Sequence, residues 1–299
     1  MHKTVLVLGA SGLFGSRAAQ AFGAAGWQVR RYQRGTDMTA AAMGADVIVN
    51  GMNPPMYHNW AQLIPQITSQ VLGAAKASGA TVIVPGNVYP YGNQPGPWGP
   101  DTPQHPVARK GHIRMAMEAG YRDAGVQVIL LRGGDFLDET KPTTAMNMVV
   151  LKAAPKGKLT LMGAPDVQRA YAYLPDMARA AVDMAAIRAQ LPAFTDVPFA
   201  GLTFSMNDLR AELQRQTGRS FRYTAFPWWF MRAAAPFWEL ARELIEMRYL
   251  MDLPHSLDPG PLAKLLPQFA TTPFEKVVAA HVTALGLGHH NVHPNRSVA

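Results

Sequence analysis

The chain has 299 residues, 48% of them hydrophobic and 16% charged, enough to bury a sizeable core in one large α/β unit or in two lobes. It has no cysteine, which excludes disulfides, thiolate nucleophiles and thiolate-ligated zinc. Its formal charge of +8 fits either a partner carrying phosphate or carboxylate or a merely solvated basic surface. Lys and Arg are spread along the sequence rather than gathered in a tract, so nucleic acid is not an expected partner. No run approaches the roughly 20 apolar residues of a membrane span, and the first apolar run leads into a glycine turn rather than a cleavage site, so a soluble, cytoplasmic protein is expected, with no membrane partner.

In chain order, the apolar runs "TVLVLGA", "WQVRRY", "DVIVNG", "TVIVPG" and "VQVILLRGG" predict strands, and they alternate with helical segments such as "RAAQAFGAAG" and "LIPQITSQVLGAAKASG". Each helical segment ends in glycine, at Gly26, Gly79 or Gly125. Continuous apolar runs suit strands covered on both faces, so the pattern predicts a doubly wound parallel α/β sheet of the Rossmann type. After about Phe136 the rhythm changes, which predicts a cofactor-binding domain over 1–150 and a smaller C-terminal substrate lobe over 151–299, with a segment near 170–186 returning to the first domain. "SMNDLRAEL" predicts a helix start, with Ser205 capping and Asp208 favouring the positive helix end.

"GASGLFGSR" places Gly9, Gly12 and Gly15 directly after the first strand, opening an Ala-rich helix. Such a strand-turn-helix is a phosphate cradle: Gly9 for the tight turn, Gly12 for close approach of the diphosphate, Gly15 for helix-on-sheet packing. Ser11, Leu13 and Phe14 complete the expected cofactor contacts. At the end of the second strand, "VRRYQRGTD" has no acid before Asp37 and offers Arg30, Arg31 and Arg34 instead. A carboxylate there would hold an NAD ribose and repel a 2′-phosphate, whereas a guanidinium binds one, so the expected cofactor is NADP, with Arg34 as its specificity residue.

These segments, with "DVIVNGMN", "VIVPGNVYPYG", "LRGGDF" and "RAYAYLPDMARAAV", resemble the extended or atypical short-chain dehydrogenase/reductase family in its NAD-dependent epimerase/dehydratase branch. The resemblance covers most of the first half and thins afterwards. It implies that the backbone of Asn50, Gly51 and Met52 meets the cofactor. It implies a tyrosine acid/base, a lysine one helical turn later and a serine or threonine holding the substrate oxygen. In this chain Asn87 falls at the serine position, and Lys110 and Arg114 fall where the tyrosine and lysine of the YxxxK motif belong. None of Tyr89, Tyr91 and Tyr121 is followed by lysine four residues on; Tyr89 is a candidate substitute acid and otherwise a pocket wall.

Four residues apart on a helix, Lys110 and Arg114 share a face, and their mutual repulsion calls for a nearby anion. They are therefore expected to bind a substrate carboxylate or developing oxyanion, with a solvated basic face as the alternative. "NGMNPPMYHNW" stands over the strand C-termini, so Asn53, His58 and Trp60, with Tyr89, are expected to line the substrate pocket. "FPWWFMRAAAPFWELARELIEMRYLM" reads as lobe core or a subunit contact, leaving a homodimer open, and secondly as an apolar substrate lid. His289, His290 and His293 crowd the tail without a partner carboxylate, and no metal is expected. The expected activity is that of an NADP-dependent oxidoreductase on a carbonyl or alcohol of a small substrate, anionic or with an apolar part. The alternatives are a non-catalytic NADP(H)-binding redox regulator and, third, a sugar epimerase or dehydratase.

Overall fold

The computed structural model describes residues 3–288, so the tail histidines His289, His290 and His293 lie outside the described residues. The first half alternates strictly: β1 (Thr4–Leu8), α1 (Leu13–Ala24), β2 (Gln28–Arg31), α2 (Met38–Ala42), β3 (Val47–Asn50), α3 (Trp60–Ser78), β4 (Thr81–Gly86), α4 (Arg109–Arg122) and β5 (Val128–Arg132). There follow β6 (Asp135–Leu137), β7 (Lys158–Leu161), β8 (Arg169–Tyr173), α5 (Leu174–Ala186), β9 (Phe194–Pro198), β10 (Leu202–Phe204), α6 (Met206–Thr217) and β11 (Arg222–Ala225). Five helices close the chain: α7 (Trp228–Ala234), α8 (Glu239–Glu246), α9 (Tyr249–Asp252), α10 (Gly260–Leu265) and α11 (Phe274–Ala284). Among the described residues no helix is long and apolar enough to cross a membrane.

Six parallel strands form the central sheet in the order β2-β1-β3-β4-β5-β9, the doubly wound arrangement expected from the alternating runs. Their residues alternate between two buried layers. Val5, Val7, Val47, Val49 and Ile83 face the side covered by α1 and α5, while Leu6, Leu8, Ile48, Val82 and Val84 face α3 and α4. That is why these strands are apolar throughout instead of alternating. α3 ends at the expected glycine: Gly79 takes a φ of +72° and its N–H donates to the Ala75 carbonyl; α1 and α4 are closed by Ala25 and Asp123, with Gly26 and Gly125 following at positive φ.

The returning stretch is longer than the sequence suggests. Besides α5, which packs on α1, β9 adds the sixth strand, and α10 then covers β9. The second half keeps its own layer: β8 pairs with β10 and β6, β11 pairs with β7, and Tyr171 stacks on Phe204 at 4.1 Å. α6 starts at the expected Ser205, whose hydroxyl accepts from Asp208 N–H while Asp208 accepts from Ser205 N–H. The aromatic stretch breaks into α7 and α8, with Met231 and Met247 buried but Trp229 and Phe237 largely exposed.

Candidate functional site

At the C-terminal edge of the sheet, Gly9 adopts a φ of +68° and Gly12 N–H donates back to its carbonyl at 2.9 Å. A Cβ on Gly9 would stand 2.7 Å from the Gly51 carbonyl oxygen, one on Gly15 2.3 Å from the Gly9 carbonyl oxygen, and one on Gly51 2.8 Å from Gly15 Cα. These three glycines let α1 cross the ends of β1 and β3 at backbone contact. Gly12 is different: a Cβ there would have only the Gly9 and Gly51 carbonyl oxygens within 4 Å, at 3.2 and 3.7 Å. α1 has no side-chain cap and no acid in its first turn, so the opening amides at Leu13, Phe14 and Gly15 keep their donors and the positive helix end is uncompensated. Ser11 is exposed, whereas the Phe14 ring is core, so only the backbone of Phe14 can face a ligand. The cradle fits a dinucleotide diphosphate.

Beside it, the β3 end is held from below. Asn50 is buried; its Nδ2 donates to the Tyr121 hydroxyl at 3.0 Å and its Oδ1 accepts from Met52 N–H at 3.2 Å, which fixes the turn through Gly51. At the β2 end, Arg30 donates to the Met43 carbonyl at 2.7 Å, while Arg31 and Arg34 are exposed. Asp37, the nearest acid, caps α2 by accepting from Thr39 and Ala40 N–H at 2.8 and 3.1 Å.

The expected partnership of Lys110 with Arg114 is corrected by the second half of the chain. Lys110 is fully buried; its Nζ donates to Glu246 Oε2 at 2.6 Å and to the Glu243 carbonyl at 3.0 Å, and it pairs with the Glu243 carboxylate. Its N–H also donates to Glu246 Oε1. The anion that Lys110 requires is thus built into α8, and Lys110 has no donor left for a ligand. One turn on, Arg114 lies 4.7 Å over the Trp60 ring and donates to Asn53 Oδ1 at 2.9 Å. Its Nε is buried without a partner among the described residues, and burial lowers the guanidinium from its usual pKa. Asn87 uses its side-chain oxygen to accept from Tyr89 N–H at 3.1 Å, and its carbonyl accepts from Arg132 at 2.6 Å.

Of the expected pocket residues, Tyr89 lines a cavity, Trp60 and Asn53 support Arg114, and His58 stands elsewhere: its exposed ring pairs with Glu239 at 2.8 Å on the surface. The sequence reading passed over Tyr57, whose hydroxyl lies 3.1 Å from that of Tyr89, with Lys110 Nζ 5.0 Å from its ring centroid. Met56, Tyr57 and Asn59 all carry positive φ, at +51°, +62° and +45°. Such backbone costs of order 1–3 kcal/mol per residue and persists only where its surroundings enforce it. Glu239 does so by accepting from Asn59 N–H at 3.1 Å, and the turn-forming prolines and asparagines of "NPPMYHN" were the available signal. Burial raises the pKa of both tyrosines, Tyr89 well above its usual value, so both hydroxyls stay protonated.

The cavity beyond this tyrosine pair runs into the second half. Arg169 and Asp135 form an ion pair within it, and the Tyr171 hydroxyl is buried without a partner among the described residues. The acids Glu239, Glu243 and Glu246 stand in the sequence at i, i+4, i+7, one helical face, and that spacing alone does not show what they hold.

No family model matches the chain, and no curated protein sequence matches it. Solved structures do. UDP-glucose 4-epimerase from Brucella ovis, solved with NAD, matches with a TM-score of 0.74 at 18% identity over 95% of this chain and 99% of that one. MoeE5, solved with UDP-glucose and NAD, gives 0.73 at 15% identity over 95% and 98%. A nucleoside-diphosphate-sugar epimerase from Pseudomonas aeruginosa gives 0.69 at 16% identity over 97% and 100%. The chain therefore shares, over nearly its whole length, the fold of these structures, nucleotide-sugar epimerases among them.

Proposed function

We propose that the chain is an NADP-dependent oxidoreductase that reduces a carbonyl group of a small molecule, with Tyr89 and Tyr57 in the place of the tyrosine-lysine couple. The observation that carries this reading is that one edge of the sheet holds both an uncapped glycine cradle, after β1, and, past the ends of β3 and β4, Tyr57 and Tyr89, which are hydrogen-bonded to each other and line a cavity. A nicotinamide dinucleotide held by the cradle would supply the hydride. The Tyr89 hydroxyl, kept protonated by burial, donates a hydrogen bond to the carbonyl oxygen and then its proton as negative charge develops there. Tyr57, 3.1 Å away, returns a proton to the Tyr89 oxygen and takes one up from water, which restores both hydroxyls. Arg114 is the nearby cation that opposes the rise in the Tyr89 pKa. Lys110 takes a positioning role, binding α4 to α8.

NADP rather than NAD follows from the exposed Arg31 and Arg34 and from the engagement of Asp37 as a helix cap. The solved neighbours named above with a cofactor hold NAD, so the preference is a property proposed for this chain alone. Fluorescence titration should show NADPH binding more tightly than NADH by about 1–3 kcal/mol, and Arg34→Asp should abolish the difference. Equal affinities in the parent chain would remove the NADP reading. A non-catalytic cofactor-binding regulator is the second reading, favoured by the closure of Lys110 into ion pairs. Absence of NADPH oxidation across a panel of aldehydes and ketones, with cofactor binding intact, would put it first.

A further inference from the structure

The cavity in the second half of the chain has walls of a particular chemistry. Five of its lining side chains are methionines, Met146, Met162, Met206, Met247 and Met251, and most of the rest are aliphatic or aromatic. Among the described residues only two charged side chains line it, Arg169 and Asp135, and they neutralise one another in an ion pair; a further guanidinium nitrogen of Arg169 lies against Met251 Sδ at 2.9 Å. A nucleoside diphosphate carries at least two negative charges, and bringing them into an apolar space with no uncommitted cation is costly. An uncharged apolar molecule meets no such penalty, and flexible thioether side chains adapt to its outline. The polar atoms that remain free are hydroxyls: Tyr171, 2% exposed and without a partner among the described residues, and the Tyr57–Tyr89 pair.

We infer that this cavity takes an uncharged, predominantly apolar ketone or aldehyde, held by methionine contacts and a hydrogen bond from Tyr171, and not a sugar nucleotide. The inference rests on the carbonyl-reductase reading above and specifies its substrate class. It also narrows the earlier expectation of an anionic or partly apolar substrate to the second option.

The test uses the full chain and the neutral fluorophore 1-aminoanthracene. Its emission should rise saturably on binding, and 2-decanone and 2-acetonaphthone should displace it while UDP-glucose does not. Ala164→Trp, which fills the cavity, and Val167→Glu, which places a carboxylate against its wall, should each weaken fluorophore binding by about tenfold or more. Both positions are at least partly exposed, and far-UV circular dichroism and NADPH affinity should be unchanged. Tyr171→Phe should bind the fluorophore as before and lose affinity for the ketones by about three- to tenfold. Displacement by UDP-glucose, failure of both ketones to displace, or parental binding in both cavity variants would overturn the inference; the first two outcomes need no variant to fold. NADPH titration of the parent chain reads the cofactor assignment separately, so loss of one result leaves the other standing.

Discussion

A methyl group added at Gly15 and one added at Gly12 should have different consequences, because the first meets the Gly9 carbonyl oxygen at 2.3 Å and the second meets it at 3.2 Å. Gly15→Ala must push α1 off the sheet and should lower the midpoint of thermal unfolding. Gly12→Val should leave that midpoint nearly unchanged and abolish NADPH binding, since its side chain occupies the space above the turn. If Gly12→Val binds NADPH normally, the cradle does not hold the diphosphate. At Tyr89, substitution by Phe removes one hydroxyl from a half-buried pair and little else. Turnover should fall by about 10²–10⁴-fold, the usual contribution of a positioned acid, with NADPH affinity retained; equal turnover in Tyr89→Phe would take the proton donor elsewhere.

Among the elements, α8 connects most of the site. Its acids serve two places: Glu239 holds the strained β3–α3 loop, while Glu243 and Glu246 converge on Lys110, Glu243 also taking Arg109. Lys110→Met would leave Glu243 buried with one partner fewer, and breaking a buried pair from one side costs about 3–5 kcal/mol. Chemical denaturation should show that loss, and adding Glu243→Gln should recover part of it. Burial works against the Glu246 carboxylate, but hydrogen bonds from Lys110 outweigh it and hold its pKa below the usual range. The sign follows: this carboxyl binds more protons unfolded than folded, so its contribution is present above the unfolded pKa of about 4.3 and is lost as pH falls through the folded value. Glu246→Gln should flatten the acid side of the stability profile, and an unchanged profile would refute the assignment. The sequence showed α4 and its two cations clearly. It did not show their separate destinations, because Lys110 meets partners more than 130 positions away and local spacing carries no information about them.

For the whole molecule, the parallel sheet was legible because both of its faces are covered, which writes itself into every strand as an unbroken apolar run. The sixth strand was not, since "FTDVP" carries a charge and a proline and reads as part of the second lobe. Asp196 explains the charge. It pairs with Arg132 at 2.6 Å, and Arg132, buried at the end of β5, also takes Glu118 of α4 through two hydrogen bonds of 2.9 and 2.8 Å. Burial opposes the Arg132 charge, yet the two carboxylates outweigh it and raise its pKa. Arg132→Met strands both acids and should cost at least as much as Lys110→Met, again about 3–5 kcal/mol by denaturation. During synthesis the same ties impose an order of events. When β5 leaves the ribosome its outer edge has no neighbour, because β9 has not yet been made, and Arg132 and Lys110 still await Asp196, Glu243 and Glu246. At about 5–20 residues per second that wait lasts on the order of ten seconds. For that interval the nascent chain presents an apolar strand edge open to pairing with other chains, beside two cations that cannot yet leave water.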